Sequence, residues 1–110
     1  MFFVQYGTLK EGKIIDFAKF WRNKENVDRL KSALTDGMKF LGVYFTILNF
    51  EDYDFEVWYE IDNWEVLDRD RENQKMKELN QELFKKYGYA FESVRTKVLR
   101  SVEDVKFMLD

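Results

Sequence analysis

The chain contains no cysteine, no histidine and no proline. Without cysteine there is no disulfide framework, no thiol nucleophile and no thiolate metal site. Without histidine there is no usual zinc, copper or haem ligand and no imidazole acid–base group. Catalysis, if any, falls to Glu, Asp, Lys, Tyr, Arg or a bound cofactor, and a hard cation on carboxylates is the one metal chemistry left open. A surplus of one charge is also missing: 18 basic and 21 acidic residues are interspersed, for a net charge of −3. Nucleic-acid binders carry a basic patch or stripe, and no basic run occurs here. The first residues, MFFVQYGTLKEG, lack the basic segment and long apolar run of a signal peptide. No apolar stretch approaches the ~20 residues a membrane span needs, so the expected location is the cytoplasm, with no membrane partner.

What the chain has in quantity is aromatic rings. Eleven Phe, six Tyr and three Trp occur in 110 residues, a length that predicts one domain over 1–110. A small domain this rich in rings has more apolar surface than one core absorbs, and the surplus goes to a partner or a ligand pocket.

Phe2 to Leu9 reads as a strand, broken by Lys10-Glu11-Gly12-Lys13. A helical pattern runs from Ile14 to a Gly37 stop, but its apolar phase changes. Ile14, Phe17, Ala18 and Trp21 share one face, whereas Phe20, Val27, Leu30 and Leu34 share another. The helix therefore breaks within Arg22-Asn23-Lys24-Glu25-Asn26 or is buried on two sides, and either case asks for a C-terminal segment or second subunit over Phe17 and Trp21. Lys39 to Phe50 is apolar on both alternating faces, as in a strand covered on both sides. Glu51 to Asp54 turns it into a returning strand, Phe55 to Ile61. Asp62 and Glu65 have capping-box spacing ahead of a second helix, which the polar run Asp68 to Glu72 divides. Met76, Leu79, Leu83 and Tyr87 restart its apolar stripe, with Glu82 and Lys86 paired on the outer side. Tyr89 to Arg100 is the fourth strand, and Val102 to Leu109 a last turn or docking arm.

This order is β-α-β-β-α-β, an α+β ferredoxin-like arrangement. Right-handed crossovers give a four-stranded antiparallel sheet of order 4-1-3-2 with the helices on one face. Phe55, Val57, Tyr59 and Ile61, with Val94, Thr96 and Val98, form the apolar set expected under the helices. The opposite face then carries Glu56, Trp58 and Glu60 beside Phe91, Ser93, Arg95, Lys97 and Leu99, with Gln5 between them and Tyr44 on the second strand. That surface is too apolar for water and too charged for an ordinary core. A second copy packed face to face resolves the conflict, so a homodimer through the open face is expected.

The stretches FLGVYFTI and FEVWYEIDNWEVLDRDRENQKMKEL resemble the dimeric α/β-barrel superfamily, most closely its NIPSNAP-like and antibiotic-biosynthesis-monooxygenase-like patterns. The resemblance spans about two-thirds of the chain and implies a fold and a dimer more than a chemistry. Haem-using members of the superfamily place a His on the iron, and none exists here, so no cofactor is expected. Cofactor-free monooxygenase members line their cavity with Asn, Trp and Tyr. Trp58, Trp64, Tyr44 and Tyr59 supply such types without a matching motif.

Three functions follow as expectations: a homodimer holding a small apolar or aromatic ligand, a cofactor-independent monooxygenase or isomerase in the same cavity, and a regulatory or assembly partner. Glu56 and Glu60 are ~13 Å apart along a strand, too far for a carboxylate pair. Either one with Arg95 or Lys97 makes an acid–base pair or a structural ion pair. Trp58 floors a pocket by stacking or fills an interface. Asp68, Asp70 and Glu72 lack the spacing of a calcium loop, so no metal is expected. An RNA-binding sheet shares this strand order, but the acidic Glu56 beside its would-be stacking rings repels phosphate.

Overall fold

The computed structural model describes residues 1–46, 54–87 and 91–104. Chain order is β1 (Phe2–Leu9), α1 (Ile14–Arg22), α2 (Lys24–Ala33), β2 (Met38–Phe45), β3 (Phe55–Ile61), α3 (Trp64–Arg71), α4 (Gln74–Tyr87) and β4 (Phe91–Leu99). A 3-10 turn, Val102–Asp104, follows. The expected second-strand residues 47–50, the turn at 51–53 and the tail at 105–109 lie outside the described residues, as do the side chains of Leu83 and Tyr87.

The strands form one antiparallel sheet in the order β2-β3-β1-β4, the expected order read from the other edge. Directly opposed residues share a face. One face therefore carries Phe3, Gln5, Gly7 and Leu9 of β1 with Tyr59, Val57 and Phe55 of β3. The core lies here: Leu9, Phe55, Val57 and Tyr59 pack with Phe17, Leu30, Ala33, Met76 and Leu79 of the helices.

Both helical segments break where the sequence turns polar, and an asparagine makes each break. Asn23 is extended (φ −80°, ψ 112°), and its side-chain oxygen accepts from the backbone N–H groups of Glu25 and Asn26. The Phe20 carbonyl at the end of α1 accepts both the Asn23 backbone N–H at 3.3 Å and the Asn26 side-chain amide at 3.2 Å. The break resolves the phase conflict without help from outside. Phe17 is only 5% exposed. It is covered by Trp21, Phe45, Phe55 and Phe91, with ring centroids 4.8–6.2 Å away. Trp21 stacks on Phe40, 5.6 Å apart and 5° from parallel. The expected C-terminal or second-subunit cover over these two rings is thus corrected: the sheet itself supplies it.

Asn73 makes the second break. Its amide donates to the Ala33 carbonyl (2.8 Å) and to Thr35 Oγ1 (2.9 Å), while its oxygen accepts from Met76 N–H at 3.0 Å. Thr35 in turn donates to Asp70 at 2.7 Å, and Arg69 donates to the Asp36 carbonyl at 3.1 Å. The polar run around residue 70 is therefore docked onto the α2–β2 turn. The expected capping box is displaced by one residue. Asn63 occupies the N-cap without a side-chain hydrogen bond, and Asp62 instead donates its backbone N–H to the Gly37 carbonyl. Gly37 has φ +92°, and a Cβ there would lie 2.7 Å from Val66 Cγ2, so the turn depends on glycine. Glu82 makes its ion pair with Arg29 of α2, which ties the two long helices together.

Tyr59 sits under this layer, 5% exposed. Burial pushes its phenol well above its ordinary value near 10, and the charge on Asp70 adds to the shift. An acid whose folded value is raised contributes stability that is complete below its unfolded value and is lost as pH climbs toward the folded one. Stability of the wild-type chain is therefore expected to fall from about pH 10 upward, more steeply than in a Tyr59→Phe variant. Urea denaturation at pH 9, 10 and 11 checks this; equal slopes for the two chains would refute it.

Candidate functional site on the open sheet face

Among the described residues, no helix packs on the opposite face of the sheet. Register places Phe2, Val4, Tyr6 and Thr8 of β1 there, beside Glu60, Trp58 and Glu56 of β3 and Leu99, Lys97, Arg95 and Ser93 of β4. On β2, Lys39, Gly42 and Tyr44 stand opposite Glu60, Trp58 and Glu56. Of the expected site residues, Trp58, Glu56, Glu60, Arg95, Lys97 and Tyr44 are brought together on this face.

Gln5 is not among them. It stands between Val57 and Thr96, on the helix side, and Val4 and Tyr6 take the place expected for it. Phe91 also changes sides. The register slips between Thr8, opposite Ser93, and Leu9, opposite Phe91, so one extra residue turns the Phe91 ring into the core against Phe17 and Phe55. Tyr59 lies in the core and Trp64 on α3, where it is 57% exposed, so neither joins Trp58 and Tyr44. Asp68, Asp70 and Glu72 do not converge: Asp68 faces Arg71 at 3.9 Å, and Asp70 accepts from Thr35.

The centre of the face is apolar. Val4 is 0% exposed. The Phe2 and Trp58 rings lie alongside, 5.6 Å between centroids. Opposite Trp58 the second strand has Gly42, and the Tyr44 ring leans over the space: a Cβ on Gly42 would be 3.3 Å from the Tyr44 hydroxyl. Tyr44 remains 55% exposed and Leu41, at the adjacent register slip, 38%.

Charge frames this centre. Lys97 Nζ lies 3.4 Å from Glu56 Oε1, reaching diagonally across β1, and 5.1 Å from the Tyr6 ring centroid. Thr8 and Ser93 share a hydroxyl hydrogen bond of 2.8 Å at one end. Chemically, the arrangement offers an aromatic floor with one carboxylate–ammonium pair at its side. It suits an apolar or aromatic group bearing a small polar function.

Sequence reasoning missed Phe2, Val4, Tyr6 and Thr8 of β1 and Lys39 and Gly42 of β2. Phe2, Phe3 and Val4 are all apolar, so β1 carries no alternation that tells its faces apart, and the polar Gln5 pointed the wrong way. A concavity of about 810 Å³ lies away from this face, between α2 and α4, and is lined by Lys24, Asp28, Arg29, Lys75, Glu78 and Glu82 among others. It is a charged, open groove, and the Arg29–Glu82 pair bridges it.

Among solved structures the chain is similar to protein Atu4242 from Agrobacterium tumefaciens, described as a NIPSNAP family protein with unknown function. The TM-score is 0.71 at 16% identity, over 93% of this chain and 94% of that one. The fold is that of NIPSNAP proteins. A NIPSNAP-like domain protein from Burkholderia xenovorans gives a TM-score of 0.71 at 14% identity, over 92% and 84% of the two chains. An ethyl tert-butyl ether D (EthD) family protein from Bacillus halodurans gives 0.58 at 16%, over 90% and 97%. No protein-family model matches the chain, and no curated protein matches it. The expected ferredoxin-like α+β fold is thereby established for this chain. Among the described residues, no helix is long and apolar enough to cross a membrane.

Proposed function

We propose that two copies of this NIPSNAP-like domain pack their open faces together and hold a small apolar or aromatic ligand beside Trp58. One observation carries this reading: the helix-free face has an apolar centre. A sheet with one solvated face alternates polar residues outward. Here Phe2, Val4, Trp58 and Tyr44 occupy that face instead. Gly42 withholds a side chain opposite Trp58, and the Tyr44 ring lies over that position to extend the aromatic floor.

Sedimentation at micromolar concentration is expected to show a dimer. Trp58→Ala is expected to weaken it by roughly 30-fold, the effect of losing a central aromatic contact of about 2 kcal/mol. Titration with a naphthalenesulfonate dye, followed by quenching of tryptophan emission, is expected to saturate in the wild type and not in Trp58→Ala. A monomer at all concentrations with no quenching would end the proposal.

A second reading is favoured by the 3.4 Å contact between Glu56 and Lys97, a carboxylate and an ammonium at the edge of the same aromatic floor. In a cofactor-independent enzyme that pair would move a proton, and Glu56→Gln would abolish turnover. In a binding dimer the same change alters assembly or stability alone.

A further inference from the structure

The charges on the open face are sorted by strand. Both carboxylates, Glu56 and Glu60, are on β3, with Lys39 of β2 opposite Glu60, and both cations of the other flank, Arg95 and Lys97, are on β4; β1 runs between β3 and β4. Glu56 and Arg95 stand at the same level, each directly opposite Tyr6. Lys97 is already paired with Glu56. Among the described residues Glu60 and Arg95 make no ion pair, and both are exposed.

Two face-to-face arrangements are available to a symmetric pair, because a two-fold axis in the plane between the sheets runs either along the strands or across them. An axis along β1 exchanges the flanks and keeps the level. An axis across the strands keeps the flanks and exchanges the levels. The second brings Glu56 of one copy over Glu60 of the other, acid on acid. The first brings Arg95 of one copy over Glu56 of the other, twice, with the buried Val4 near the axis. We propose that the second copy docks with the axis along β1, so that Glu56 takes a second cation, Arg95 of the other copy. This rests on the dimer reading above and adds its geometry. Charge complementarity of this kind fixes orientation and excludes the alternative more than it adds affinity.

Two single reversals test it. Arg95→Glu and Glu56→Lys are each expected to weaken self-association by about tenfold, since each places like charges across the interface. An equimolar mixture of the two variants is expected to form mixed dimers near wild-type strength, seen by native mass spectrometry, because the reversed charges then face opposite ones. Circular dichroism checks that each variant is folded. If Glu56→Lys does not fold, Glu56→Gln replaces it, and weakening by both Arg95→Glu and Glu56→Gln is then the supporting result. A dimer tightened by Glu56→Lys, or unaffected by Arg95→Glu, overturns the orientation and leaves the dimer standing. A wild-type chain that sediments as a monomer overturns the dimer itself.

Discussion

Gly7→Ala is expected to cost at least about 3 kcal/mol of folding stability, and to leave much of the chain unfolded at 37 °C. Gly7 lies in a strand paired on both sides, opposite Phe55 on β3 and Val94 on β4. A Cβ there would sit 1.9 Å from the Ser93 carbonyl oxygen and 2.8 Å from its carbon. Those are backbone atoms of β4, so no side chain can swing aside. The strand cannot retreat either. Its carbonyl accepts from Asp54 N–H at 2.7 Å, and two residues on, Leu9 N–H donates to the Asp54 carboxylate at 2.8 Å. Relief would have to come from separating β1 and β4 next to the register slip, which exposes the Phe91 ring. Urea denaturation followed by far-ultraviolet circular dichroism measures the loss. A change below about 1 kcal/mol would mean that β4 lies farther from β1 than described.

Phe17→Ala is expected to remove about 3–5 kcal/mol, the range for truncating a buried aromatic whose surroundings cannot collapse. Phe17 touches β2, β3 and β4 together, through Phe45, Phe55 and Phe91. Removing it leaves four rings facing a void, and three of them, Phe45, Phe55 and Phe91, are held by strands whose spacing is fixed by hydrogen bonds. Phe17→Leu keeps most of the volume and should cost less than half as much. Equal losses for the two variants, in urea midpoints at unchanged slope, would show that edge-to-face ring geometry rather than filled volume stabilises this cluster.

The order of elements was legible because most strands and helices carry their own period. Phe55 to Ile61 alternates without fault, and both faces of β3 were assigned from it: Phe55, Val57, Tyr59 and Ile61 are buried, while Glu56, Trp58 and Glu60 are on the open side. Both helix breaks fell in the polar runs that interrupt the apolar stripe. What failed needed information from a neighbouring strand. A bulge moves Phe91 to the other face without altering its local alternation, and β1, apolar on both sides, takes its facing from β3 and β4. The apparent need for outside cover over Phe17 came from treating residues 14–34 as one straight cylinder. Once Asn23 breaks that cylinder, Phe17 and Leu30 both reach the sheet. The residues of the open face were therefore legible on β3 and β4 and not on β1 or at Gly42.

The Asn73 side chain deserves a last consequence. It gives two hydrogens, to the end of α2 and to the turn beyond it, and takes one from the start of α4. Only a carboxamide is donor and acceptor at once within that reach: aspartate would set a negative oxygen against the Ala33 carbonyl, and serine is too short to span the gap. Two pieces of chain distant in sequence, residues 33–35 and 73–76, are thus riveted through one planar group. Loosening at the end of α2 must release the first turn of α4 with it.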